Sequence, residues 1–180
     1  LATKVERQIE IKQIEPGDKL TGLSLGDAAY APLKVFLQKH AHSYETESLA
    51  RTYAAFEERK VVGYITLVCG EVVTDDDDDR LLADEGLHYL YNHYPAVKIA
   101  RLAVDRRMRG NKLGQFLVKL ALGRAKSVIC PAVGCRFVMV DSKKSSVSFY
   151  ERCGFTLLDT AANRARDEPV LFVDLKKVAA

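Results

Sequence analysis

Leu102–Gly114 reads LAVDRRMRGNKLG. Leu102, Ala103 and Val104 end an apolar run, Lys98–Val104 (KIARLAV), that reads as a strand. A basic turn follows, and its Gly110 and Gly114 let the backbone approach a ligand with no Cβ in the way. The turn opens the best helical pattern of the chain, Asn111–Val128, with Leu113, Phe116, Leu117, Leu120 and Ala121 on one stripe. The first N–H groups of a helix have no intrahelical partner, and the helix dipole adds partial positive charge there. Arg109 and Lys112 add full charges. The junction reads as an anion cradle suited to a diphosphate. It is not a Walker loop, because Gly114 is followed by Gln115-Phe116 and not by Lys-Ser/Thr. Nor is it a dinucleotide fingerprint, since no third glycine stands in register with Gly110 and Gly114.

Upstream of this junction, Gln8–Glu15 alternates apolar and polar residues as a strand does, and Pro16-Gly17-Asp18 ends it. Tyr30–Ala41 predicts a short helix with Leu33, Phe36, Leu37 and His40 on one face. Arg51–Glu57 and Val61–Val73 predict a hairpin about the polar turn Glu58-Arg59-Lys60. Downstream, Pro131 is expected to stop the long helix. Cys135–Val140 reads as a strand buried on both faces. Ser145–Arg152 predicts a second helix with Gly154 as its C-terminal cap. Phe155–Leu158 and Val170–Leu175 predict the last strands, with Thr160–Asp167 a polar loop between them. Crossover and antiparallel connections around one sheet make this an α/β chain of the mixed, α+β kind.

A chain of 180 residues suits a single domain, 1–180. With 48% hydrophobic and 28% charged residues it matches a globular protein, and no run approaches the roughly 20 apolar residues of a membrane span. No membrane partner is expected, and the cytoplasm is the expected compartment. Cys69, Cys130, Cys135 and Cys153 form no C-x-x-C pair, so buried or half-buried thiols are expected, with no metal. From Arg101 to Lys126 eight basic residues face one acid, Asp105, while Glu71 to Glu85 holds eight acids and one base. That asymmetry points to a local anionic ligand at the basic stretch. The run Asp75–Asp79 lacks the glycine and distal glutamate of a calcium loop and is expected to be exposed.

Arg109-Gly110-Asn111-Lys112-Leu113-Gly114 resembles the acetyl-CoA diphosphate loop of the GNAT N-acetyltransferases, [QR]-x-x-G-x-[GA]. Lys112 stands where that pattern has its middle glycine. Leu102-Ala103-Val104 resembles the splayed strand whose backbone pairs with pantetheine in the family. Further on, Phe149-Tyr150-Glu151-Arg152-Cys153-Gly154-Phe155 resembles the family signature F-Y-x-x-x-G-F. The two motifs come in the family's order, with one helix and one strand between them. The resemblance implies a single mixed sheet of six to seven strands flanked by about four helices. It implies acetyl-CoA as co-substrate, bound by Leu102, Ala103, Val104, Arg109, Gly110, Asn111, Lys112, Leu113 and Gly114. Within the family the chain is similar to the GNAT-type toxins of bacterial toxin–antitoxin pairs. The likeness is carried by Ala50-Arg51-Thr52-Tyr53, Val62-Gly63-Tyr64, Tyr94-Pro95-Ala96-Val97, Arg101–Asp105 and Val140-Asp141. Those toxins acetylate aminoacyl-tRNA.

The implied reaction is direct attack of a primary amine on the thioester within a ternary complex. Tyr150 is the expected acid for the departing thiolate, since a phenol is protonated at neutral pH. Glu71, Glu85, His88 and Tyr94 are candidates for the base. The acceptor stays open among a small-molecule amine, a peptide and aminoacyl-tRNA. A homodimer and an antitoxin are the partners the resemblance allows. A non-catalytic acyl-CoA-binding module is the alternative from another class.

Overall fold

The computed structural model describes residues 8–74, 81–82 and 89–178. The run Asp75–Asp79, with Glu85 and His88, lies outside them. Seven strands follow in chain order: β1 (Ile9–Gln13), β2 (Arg51–Glu57), β3 (Lys60–Val73), β4 (His93–Val104), β5 (Phe137–Asp141), β6 (Thr156–Leu157) and β7 (Val170–Asp174). They form one sheet in the order β1-β2-β3-β4-β5-β7-β6. β4 and β5 are parallel, whereas β1 with β2, β2 with β3, β5 with β7 and β6 with β7 are antiparallel. A parallel pair needs a crossover, and the chain supplies it as α3 (Leu113–Arg124). The other α-helices among the described residues are α1 (Ala31–Lys39), α2 (Ala41–Thr46), α4 (Cys130–Ala132), α5 (Val147–Arg152) and α6 (Ala161–Ala165).

The chain divides into two compact units, the described residues up to Leu67 with Arg101–Val118, and Val68–Ala100 with Lys119 onward. In the first unit β1, β2 and the start of β3 make an antiparallel meander. Glu58 and Arg59 turn β2 into β3 with left-handed backbone, φ 47° and 65°, which matches the twist of a two-residue hairpin. Phe36 and Leu37 of α1 enter a core with Ile14, Leu23, Phe56, Val61 and Tyr64. The Tyr64 hydroxyl donates to the Leu33 carbonyl at 2.7 Å. In the second unit Tyr94, Phe137 and Phe172 stack edge to face over Val72, Met139, Leu158 and Val170.

Several elements depart from the sequence reading for identifiable reasons. His40 is exposed and off the α1 face, because its N–H closes α1 on Phe36 O while its carbonyl opens α2 to Tyr44 N–H. Phe116 is 55% exposed. The buried stripe of α3 runs through Leu113, Leu117, Val118, Ala121 and Leu122, rotated by about one residue from the stripe read in sequence. Pro131 does not stop the helix. A π turn, Ala125–Ile129, widens the spiral just before it, and the proline falls in the first turn of α4, where its missing N–H costs little. β4 starts at His93, five residues early, since Pro95 still offers a carbonyl that accepts Arg136 N–H at 2.9 Å. Cys69 is exposed, while Cys130, Cys135 and Cys153 are half-buried, and all four are free thiols.

The polar stretch Thr160–Asp167 contains helix α6. Thr160 caps it by accepting Asn163 N–H at 3.0 Å. Buried Asn163 donates from Nδ2 to Leu158 O (2.9 Å) and Val170 O (3.0 Å), and accepts Val170 N–H (2.8 Å). A polar pattern therefore hides a side chain that staples β6 to β7. Asn163→Ala removes three hydrogen bonds to backbone groups, each worth about 1 kcal/mol, while Leu158 O keeps Thr160 N–H and Val170 O keeps Leu158 N–H. Urea unfolding of the variant should show a loss of about 3 kcal/mol with unchanged m-value, and a loss under about 1 kcal/mol would contradict the staple.

Candidate functional site

The cradle read at Leu102–Gly114 belongs to the first unit. β4 leaves the sheet at Val104, and Asp105 N–H still donates to Val62 O at 2.8 Å. Asp105 is fully buried and saturated. Its Oδ2 accepts Ser24 N–H (2.7 Å) and Arg107 Nη2 (2.9 Å), and its Oδ1 accepts Arg107 N–H (2.9 Å) and Nε (2.8 Å). Burial alone would raise its pKa. The Arg107 side chain, then the Arg107 and Ser24 amides, outweigh that and hold the carboxyl at about 2. Two further bonds tie the same segments together, Arg106 N–H to Ser24 O (2.8 Å) and Arg109 Nη2 to Leu25 O (2.8 Å). In sequence Asp105 stood out only as the single acid among bases. Its burial, and the role of Ser24-Leu25, depend on a contact 81 residues away in the chain.

Met108 is buried beneath the turn, while Arg109, Gly110, Asn111 and Lys112 are exposed above it. Gly110 has φ 85°, and a Cβ built there meets no atom within 4 Å, so its backbone faces open space. Lys112 has φ 59°, a left-handed conformation in which a side chain costs about 1 kcal/mol. Its Cβ is therefore held where a glycine would sit without strain. α3 begins at Leu113, not at Asn111. Phe116 N–H donates back to Lys112 O at 3.0 Å, so the amides of Leu113, Gly114 and Gln115 precede the first turn's bonds. Gly63 fixes where this mouth sits. A Cβ there would lie 3.1 Å from Leu113 Cδ2, 3.2 Å from Ala103 O and 3.4 Å from Leu117 Cδ1.

Leu102, Ala103 and Val104 lie at the end of β4, past the residues that pair with β5. That ladder comprises Ala96, Val97 and Lys98 against Phe137, Val138 and Met139. Ala103 is buried, and Leu102 and Val104 are half-buried.

Tyr150 belongs to the second unit, on α5. It is 7% exposed and packed edge-on against Phe149 (5.1 Å) and Phe155 (5.5 Å). Burial first, then the neighbouring Cys153, pushes its phenol pKa well above the usual value, so it is protonated at neutral pH. Gly154 ends α5 with φ 91°, which carries the chain into Phe155 and so places that ring beside Tyr150. Cys153 is half-buried, and burial raises its thiol pKa, as suits a packing residue. Of the base candidates, Tyr94 is 2% exposed and lies within the aromatic stack, a core position. Glu71 is exposed and pairs through Oε1 with His93 Nδ1 at 3.0 Å. Glu85 and His88 lie outside the described residues.

A family model described as acetyltransferase (GNAT) family matches residues 26–155. The chain is 26% identical over 150 residues to a tRNA-acetylating toxin of Mycobacterium tuberculosis (strain ATCC 25618 / H37Rv), covering 83% of this chain and 85% of that protein. It is 29% identical over 105 residues to glucosamine 6-phosphate N-acetyltransferase of Arabidopsis thaliana, covering 56% of this chain and 66% of that one. Among solved structures it is similar to a mutant of the AtaT toxin bound to the C-terminus of its antitoxin AtaR and acetyl-CoA. That structure has a TM-score of 0.71 at 24% identity, with 93% of this chain and 94% of the other covered, and the likeness speaks to the fold.

Two outcomes follow from the cradle. Asp105 has a folded pKa of about 2 against 3.8 for an ordinary aspartate. A lowered folded pKa contributes stability that is complete above the unfolded value and is lost as pH falls through the folded one. The stability gap between wild type and Asp105→Asn should be flat from pH 7 to about 4 and shrink between about 4 and 2. Its size should be about 1 kcal/mol, the linkage figure being discounted because Arg107 is half in water. Denaturant unfolding along that pH series checks it, and a gap that grows on acidification contradicts it. Separately, Lys112→Gly should exceed Lys112→Ala in stability by about 1 kcal/mol, because only the glycine releases the left-handed strain. Thermal unfolding of the two variants reads this directly.

Proposed function

The chain belongs to the acetyltransferase (GNAT) family, and we propose that it moves an acetyl group from acetyl-CoA to a primary amine by direct attack in a ternary complex. The observation that carries this reading is the turn Arg109–Lys112 at the mouth of α3, inside the matched residues. Its Gly110 backbone is open, its amides precede the helix bonds, and two cations flank it. These groups fit a diphosphate, since an anion at a helix N-terminus is stabilised by both the amides and the dipole. Arg109, Gly110, Asn111, Lys112, Leu113 and Gly114 would hold the diphosphate, and the backbone of Leu102, Ala103 and Val104 would pair with the pantetheine amides. Acetyl-CoA supplies the activated acyl group as a thioester. Tyr150, kept neutral by burial, is the group proposed to give its proton to the departing sulfur.

A second reading narrows the acceptor. Similarity to the tRNA-acetylating toxin over 83% of the chain favours aminoacyl-tRNA as the amine, with a protein antitoxin as partner. Beyond the cations given to the diphosphate and to Asp105, exposed Arg106 adds charge that an RNA backbone would need. A homodimer, a cytoplasmic location and a single domain over 1–180 complete the proposal. Among the described residues no helix is long and apolar enough to cross a membrane.

Gly114→Trp should abolish acetyl-CoA binding in a calorimetric titration, because the backbone approach is lost. Tyr150→Phe should lower kcat by about 10²-fold while leaving acetyl-CoA affinity within about twofold. Wild-type turnover by Tyr150→Phe would remove the assigned acid, and unchanged affinity in Gly114→Trp would remove the assigned cradle. Turnover against charged tRNA beside a panel of amines separates the two acceptor readings.

A further inference from the structure

The second unit contains a cavity of about 560 Å³, a volume within the ~300–1,000 Å³ typical of small-ligand sites. Its floor is apolar, formed by buried Met139, Leu158 and Val170. Gly70 keeps it open on the β3 side, where a Cβ would come within 2.8 Å of Lys98 Cβ. The opposite wall is the α6 region that Asn163 staples in place.

Four charges line the same cavity: Glu71, Lys98, Asp141 and Arg166. Lys98 Nζ is committed to Asp141 Oδ2 in a close ion pair. Arg166 touches the other oxygen, Oδ1, only at 3.4 Å from Nη2, long for a charge-assisted bond. A guanidinium has five donors, and this contact uses one. The Arg166 side chain is 51% exposed, so its fork can turn to a ligand at little cost. Glu71 bonds His93 through Oε1, and a carboxylate has a second oxygen that can accept an ammonium hydrogen. Two cations and two carboxylates sum to zero, so the lining best complements a ligand that is itself a zwitterion.

We propose that this cavity binds small amines carrying a carboxylate or phosphate, the anion on Arg166 and the ammonium at Glu71. The binding does not rest on the acetyl-transfer reading above.

The test titrates the full chain with matched probes in a calorimeter: phosphoethanolamine against ethanolamine, and β-alanine against β-alaninamide. The anionic member of at least one pair should bind about tenfold tighter than its neutral partner, and which pair responds tells phosphate from carboxylate. Arg166→Ala, whose melting temperature confirms that it folds, should bring that ratio below about threefold, and Arg166→Lys should keep part of it. Equal affinities within each pair, or a preference that survives Arg166→Ala, overturn the proposal. A protein that prefers the anionic amines but never consumes acetyl-CoA would keep this site and lose the transfer reading. One that acetylates charged tRNA while binding both members of each pair alike would lose this site and keep the transfer reading.

Discussion

One buried carboxylate, Asp105, organises the turn between β4 and α3. Asp105 is the point where β4 stops being a strand, and it must satisfy both its own charge and the amides that the strand leaves behind. It does so by accepting four bonds, from Ser24 and three times from Arg107. A buried carboxylate with fewer partners would cost more in desolvation than it returned. With all four, it fixes the direction in which the chain leaves the sheet and thereby the position of Arg109 through Gly114. The Ser24-Leu25 segment is the other half of the clamp, since it also receives Arg106 N–H and Arg109 Nη2. The cradle is therefore built from a strand end and a distant loop together, and neither would hold it alone.

The cradle also carries a conflict between charge and conformation. The left-handed backbone at Lys112 favours glycine, yet a lysine stands there at φ 59°. The strain of about 1 kcal/mol is comparable with the gain from one exposed cation near a helix N-terminus that binds an anion. On the empty protein both effects are unfavourable, since the cation stands beside the positive end of a dipole. The charge would repay them only when a diphosphate neutralises that end. A residue that weakens the free protein slightly and serves the bound one is what a site for a highly charged ligand would tolerate. Gly63 shows the complementary case, where a missing side chain lets α3 approach β3 and no charge is involved.

Much of this was legible in the sequence. The strands that alternate or run apolar, β1, β2, β3, β5 and β7, fell where periodicity put them, and both family motifs sit on the elements expected of them. The departures share a cause. Local pattern puts His40 and Phe116 on apolar faces and makes Pro131 a stop, and each is decided by something farther off: a helix junction, the seating of α3 on Gly63, and a π turn. Helix α6 was hidden because its one buried residue, Asn163, is polar, and a hydrophobic stripe cannot reveal an asparagine held by three backbone bonds. Of the residues proposed for the cradle, Arg109 and Gly110 stand out by type and spacing. The ion pairs of Asp105, Lys98, Asp141 and Arg166 do not, because paired charges look like ordinary surface charges until the fold brings them together.

The burial of Tyr150 sets a condition on its proposed chemistry. Desolvation that keeps the phenol neutral also makes it a weaker acid, so in isolation it would give its proton to a thiolate less readily than a phenol in water. A thiol in water has a pKa of about 8.5, below the phenol's 10, so the transfer is already uphill before burial. The same dry surroundings, however, raise the basicity of any thiolate formed there, because both anions lose hydration. What governs the transfer is the difference between the two shifted values and not either one. A site that desolvates the sulfur as thoroughly as Phe149 and Phe155 desolvate the phenol would restore the balance, and one that left the sulfur wet would not. The packing around Tyr150 therefore demands a leaving group drawn out of water, which is a stronger constraint on the reaction than the presence of a tyrosine alone.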